Sequence, residues 1–169
     1  NRRLLELDAI SRISNILAET LDLNQVLDVI RVEAAQATLA DGSSVILLKP
    51  NDQWSKIDEP EVDRRLGDLK RTSGIAGIER EAISRGASTV LISDYLTASM
   101  PAIPSDARSA LAAAFIYEDQ VVGVIHLFHK RANNFDERAA AFLLTLSAKA
   151  SLGYGNYVRY QEQIDRGNR

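Results

Sequence analysis

The sequence predicts an α+β fold, with antiparallel strands bracketed by helices at the two chain ends. Three observations lead there. Both ends carry apolar residues at three- and four-residue steps, the mark of a helix with one buried face. Between them lie short β-branched runs separated by turn residues. Two of those runs are joined only by Glu118-Asp119-Gln120, which forces an antiparallel pairing and argues against a doubly wound parallel sheet.

Residues 1–21 read as a helix, because Leu7, Ile10, Ser14, Leu17 and Leu21 fall on one stripe. Asp22 is placed to cap a second helix, roughly 23–39, whose apolar face is Leu23, Leu27, Ile30, Ala34 and Ala37. Asp41-Gly42 then breaks the chain. Ser44 to Leu48 reads as a strand, Pro50-Asn51-Asp52 as a turn and Trp54 to Ile57 as the return strand. Residues 59–72 alternate in charge and read as a solvated loop. Ser73 is placed to cap a short helix, about 74–85, ended by Gly86. Thr89 to Ile92 reads as a buried strand, and residues 93–107, with Pro101 and Pro104, as a long loop of the kind that carries function or moves. Ala110 to Tyr117 and Val121 to His129 form the hairpin, and residues 130–134 a polar link.

The last segment is the most regular. Ala139, Leu143, Leu146, Ala150, Gly153, Tyr157, Tyr160 and Ile164 alternate steps of four and three, a heptad seam. Ser147, Ala150, Ser151, Gly153 and Gly155 are small enough for another helix to come close. The seam serves either a second chain or the helix's own sheet, and its strict period, with the stripe from Leu7 to Leu21, leads us to expect a parallel homodimer.

Composition bounds the function. The chain has 169 residues, with 20 basic and 23 acidic side chains and a formal charge of −3, so it is sized for one core and lacks the basic excess that nucleic-acid binding asks for. It has no cysteine, which removes disulfides, thiolate metal sites and cysteine nucleophiles. No apolar run approaches the roughly 20 residues that span a bilayer, and the N-terminus lacks a signal-peptide pattern. The one methionine is Met100, so the chain reads as a piece of a longer protein. No serine sits in a recognisable motif with a histidine base, and no carboxylate pair is marked out, so no catalytic residue is assigned.

Several stretches together carry a family likeness. They are Ile10 to Ile13 with Leu21 to Leu27, Ala40 to Leu48, Gly74-Ile75-Ala76-Gly77 with Gly86 and Ile92-Ser93-Asp94, Ser109 to Ala112, Val122 to Leu127, Asn134-Phe135, and Ala148 to Ala150 with Asn156. In this order and spacing the chain resembles a GAF domain over about residues 10–160, a small sensory module of bacterial signalling proteins and of cyclic-nucleotide phosphodiesterases. The resemblance implies a central antiparallel sheet of five to six strands. It places the terminal helices on one face and a ligand pocket under a short helix and loops on the other, a GAF/PAS-like arrangement. The chain departs from the family's cyclic-nucleotide binders: His129-Lys130 stands where those often have asparagine-lysine, and Ala139 stands at their acidic place. Family members that hold a bilin covalently or reduce free methionine sulfoxide work through cysteine, which this chain lacks.

Candidate site residues follow. On the last strand, side chains alternate, so Gly123, Ile125 and Leu127 are expected on the helix face and Val124, His126 and Phe128 in the pocket. His126 either hydrogen-bonds a ligand, ligates a haem iron, or is a buried histidine with internal partners; His129 is expected at the surface. Asp94, with Tyr95, either clamps a ligand or caps the next turn. Ser73 to Gly77 reads as a helix cap or, alternatively, as a phosphate cradle without a P-loop's lysine. Arg108, Lys130 and Arg131 form no basic groove. The candidate pocket is Ile75, Ile78, Asp94, Tyr95, Phe115, His126 and Phe128, with no cofactor or metal assigned. The candidate dimer interface is Leu7, Ile10, Leu17, Leu143, Leu146, Ala150, Gly153 and Tyr157.

The expectation is one cytoplasmic sensory domain over residues 1–169. It divides into a dimerisation helix (1–21), the sheet and pocket (22–134) and a signalling helix (135–169). It would bind an unidentified small molecule and pass the change to a linked output domain, such as a histidine kinase of a two-component system, a cyclic-dinucleotide enzyme or a transcription activator. The alternatives are a ligand-free dimerisation spacer whose pocket is filled by Phe115, His126 and Phe128, and a haem or chromophore sensor using His126. No membrane contact is expected.

Overall fold

The computed structural model describes residues 2–48, 54–57, 77–86 and 88–167. Residues 1, 49–53, 58–76, 87 and the two C-terminal residues, with the calls made for the Pro50 turn, the 59–72 loop, the Ser73 cap and Ile75, lie outside the described residues.

Asp22 caps its helix as expected, accepting a hydrogen bond from the Gln25 amide at 3.4 Å. That helix, α2 (Leu23–Thr38), buries Leu23, Leu27, Ile30, Ala34 and Ala37. Leu39 ends it in the left-handed region (φ 58°), and Ala40 donates its amide back to the Ala35 carbonyl. Before it, α1 spans Arg2–Glu19. Its inward residues are Ala9 and Ile13 with Ile10 and Leu17 beside them, whereas Leu7 is 52% exposed, so the predicted stripe is rotated from the buried one.

Five strands make one antiparallel sheet in the order β2-β1-β5-β4-β3 among the described residues. They are β1 (Gly42–Leu48), β2 (Trp54–Ile57), β3 (Thr89–Ile92), β4 (Ser109–Tyr117) and β5 (Gln120–His129). The β4–β5 turn is tighter than predicted: Gln120 is already in the strand, and Glu118 and Asp119 both have positive φ (51° and 65°). That twist matches a hairpin's right-handed strands. The short helix α3 (Gly77–Arg85) ends at Gly86, whose φ of +74° suits glycine. Residues 93–107 form the expected long connection.

The final helix, α4 (Glu137–Gly167), starts at Asp136, which accepts from the Ala139 amide at 2.9 Å. Arg2 donates two hydrogen bonds to the same carboxylate, tying the starts of α1 and α4. Those contacts, Arg2 foremost, hold the Asp136 carboxyl well below the usual range.

The sheet divides two apolar layers. On one face α1, α2 and α4 cover Leu111, Ala113, Phe115, Ile125 and Leu127. On the other, Ile78 and Ala82 of α3 and Tyr95 of the long loop cover Ile46, Val90, Ala110, Ala112 and Val124. The predicted alternation of β5 holds at Ile125, Leu127, Val124 and Phe128. Phe115 is a correction: it points into the helix-side core, not the pocket. Its ring lies over Gly123, directly opposite in register, in the space a Cβ would fill. Gly123 therefore admits a ring from the next strand, not a helix.

The heptad is the second correction. Leu143, Leu146, Ala150 and Gly153 are buried against this chain's own sheet and helices. A Cβ on Gly153 would meet Val26 and Leu17, so the small residue lets α4 approach α2 and α1. Those four positions are core and offer no surface to a second chain, and Tyr157 with Ile10 and Leu17 packs at the core's margin. What α4 turns outward is another stripe, Ala141, Leu144, Ala148 and Leu152. Ser151 reaches the sheet instead, accepting from the Ile116 amide at 3.0 Å beside the β4 irregularity.

Candidate functional site

A cleft of about 610 Å³ opens at the start of β1, between the C-terminal half of α2 and residues 103–107. Its polar floor comes from two neighbouring strands. Ser44 and His126 are direct partners in the β1–β5 register, so their side chains share one face. Apolar walls come from Val32, Ala35, Ile103, Pro104, Ala107 and Phe128. Phe128 in turn lies over Gly42, its own register partner, where a Cβ would not fit.

Both polar residues are buried, and among the described residues neither Ser44 Oγ nor His126 Nε2 has a hydrogen-bond partner. A buried polar atom without a partner costs free energy, so this pair needs an explanation. The other ring nitrogen of His126, Nδ1, faces Glu79 Oε2 at 3.6 Å. Glu79 comes from α3 and is as buried as His126, each 2% exposed in its side chain. Its charge acts on Tyr95, whose hydroxyl is pushed up to about 12, by burial first and by Glu79 second.

The cleft mouth carries polar and charged side chains set close together. Arg31 holds Asp28 at 2.7 Å, His129 stands 3.7 Å from Asp41, and Lys130 is 3.9 Å from Asp106. The Lys130 amide also donates to Asp41 Oδ2 at 2.7 Å. Among the described residues there is no group of three or more potential metal-ligating side chains.

Of the predicted pocket residues, His126 and Phe128 line this cleft. Ile78 and Tyr95 are packed in the core under α3. Asp94 does structural work: it takes a two-pronged pair from Arg108, both bonds 2.9 Å, and accepts from the Leu96 amide at 3.0 Å. The Arg108 pair, then that amide, hold its carboxyl down at about 2. His129, expected at the surface, sits at the cleft rim with its side chain 15% exposed. Ser44 and Glu79 went unforeseen. Ser44 is the polar residue opening an apolar strand run, and Glu79 is an acid on the apolar face set by Ile78 and Ala82; both signals are present in the sequence.

The GAF domain family profile matches residues 20–153, and the chain belongs to that family. Solved structures share the fold. The GAF domain of a phosphoenolpyruvate-protein phosphotransferase from Coxiella burnetii is 16% identical with a TM-score of 0.74, over 94% of this chain and 98% of that one. The free methionine-R-sulfoxide reductase of Neisseria meningitidis, in complex with its substrate, is 14% identical with a TM-score of 0.72, over 95% of this chain and 94% of that one. A GAF domain assigned to a sensor histidine kinase of Pseudomonas syringae pv. tomato is 13% identical with a TM-score of 0.66, over 97% and 94%. At such identities the likeness is one of fold. No curated protein matches the chain.

Proposed function

We propose that this GAF domain is the sensory part of a larger cytoplasmic signalling protein. It binds a small molecule in the β1–α2 cleft and passes the change through its terminal helices to an output domain. The observation that carries this is the pair Ser44 Oγ and His126 Nε2, buried on the floor of an open cleft without partners. A ligand that bonds both atoms supplies what the fold leaves unmade. The spacer alternative expects the pocket to be filled by Phe115, His126 and Phe128; His126 and Phe128 line the cleft, whereas the Phe115 ring lies on the opposite face.

The relay reading draws on two features of α4. The helix has 31 residues, and from Arg159 to Gly167 it is exposed on all sides, a stalk beyond the core. The outward stripe Ala141, Leu144, Ala148 and Leu152 gives a second copy an apolar strip, so the homodimer forms there and not on the buried heptad. A ligand shifts the output only if it prefers one helix arrangement over another. The test is the activity of the full-length parent and amide exchange along α4, with and without a molecule isolated on the domain. Binding that changes both supports the sensor; binding that leaves both unchanged overturns it.

A further inference from the structure

The cleft's chemistry narrows what it binds, granted the reading that the cleft is the ligand site. His126 has two nitrogens in different surroundings. Nδ1 looks at the Glu79 carboxylate, which favours a proton on Nδ1. Nε2, buried and unpartnered, is then a hydrogen-bond acceptor. Beside it, across the β1–β5 pair, the Ser44 hydroxyl has both a proton and lone pairs to offer.

Charge decides the rest. Arg31 and Lys130 already stand against Asp28 and Asp106, so among the described residues both fixed cations at the cleft are paired. A charged group driven onto the floor would lose its water without gaining a counter-ion. Beyond the two polar atoms, Ile103, Pro104, Ala107 and Phe128 give apolar wall, while Gln36, Asp41, His129 and Lys130 keep other parts of the lining polar.

We propose that the cleft takes an uncharged small molecule that donates an N–H or O–H to His126 Nε2 and, through a neighbouring acceptor, takes a hydrogen bond from Ser44 Oγ. Its remaining surface is largely apolar and rests on Phe128 and residues 103–107. Carboxylates and phosphates are rejected.

Three probes of one shape separate the possibilities: benzamide, benzoate and benzylamine, neutral, anionic and cationic. Each is titrated to millimolar concentration into the uniformly ¹⁵N-labelled domain, and the His126 ring nitrogens are followed by NMR. Benzamide is expected to move the Nε2 resonance and to bind at least tenfold more tightly than the two ions. Ser44→Ala is expected to weaken it about tenfold while leaving the amide spectrum folded, and His126→Gln, a second variant, to abolish the preference for the neutral probe. Benzoate or benzylamine binding at His126 as tightly as benzamide overturns the uncharged class and leaves the cleft as a site. Benzamide bound in the cleft without moving Nε2 overturns the role of Ser44 and His126. If none of the three perturbs the cleft, the ligand-site reading itself falls with the proposal.

Discussion

Ser44 and His126 stand opposite each other on β1 and β5, and each keeps one buried polar atom without a hydrogen-bond partner among the described residues. Such an arrangement is a cost to the ligand-free fold. Removing the hydroxyl in Ser44→Ala removes an unmet polar group, so the variant is expected to be more stable by about 1 kcal/mol in urea denaturation. A loss of stability instead would mean that the hydroxyl is satisfied in solution.

Phe115 and Gly123 form a second tight pair, a ring laid over the only residue type without a side chain. Phe115 is nearly fully buried, so the ring has no free space to retreat into. Gly123→Ala is expected to cost about 1–3 kcal/mol by overpacking. Phe115→Leu in the same chain should recover part of that cost, and a double-mutant cycle measures the coupling. Strictly additive losses would contradict the contact.

Leu143 and Leu144 are neighbours with opposite surroundings: Leu143 is fully buried and Leu144 is 37% exposed. Leu143→Ala is expected to cost about 2–5 kcal/mol by leaving a cavity, without changing the subunit count. Leu144→Glu with Leu152→Glu is expected to spare stability and to convert the proposed dimer to monomer on size exclusion with light scattering. The reverse pattern would restore the heptad as the subunit seam.

These pairs also show how far the sequence could be read. The Asp22 cap, the Gly86 helix end and the apolar face of α2 were legible because each depends on residues close in the chain. The parity of β5 was legible because Gly123 marks a close-approach face and the strand period of two then sets the rest, although what approaches Gly123 is the Phe115 ring and not a helix. On β4 the run from Ala110 to Ile116 is apolar throughout, so nothing local told which face Phe115 takes. Steps of four and three suit both a coiled-coil seam and a helix on its own sheet, and only the packing separates them. The Ser44–His126–Glu79 cluster joins three elements far apart in sequence, which a one-dimensional pattern does not bring together.

Asp94 locks the long loop to β4 through Arg108, and its carboxyl sits at about 2 against an ordinary 3.8. A depressed carboxylate pKa favours the charged form in the folded state. That contribution is present above about pH 4 and is lost as the pH falls toward 2. Wild type and Asp94→Asn are therefore expected to differ in urea midpoint at pH 6 and to converge by about pH 2. A constant difference across that window would remove the ionised pair from the loop's stability.

Native mass spectrometry of the domain after incubation with a small-molecule extract tests the central claim most directly, with Ser44→Phe, which fills the cleft, as the control. The account predicts a non-covalent mass on the wild-type protein that is missing from Ser44→Phe. The same masses on both proteins, or none on either, would contradict a ligand in this cleft.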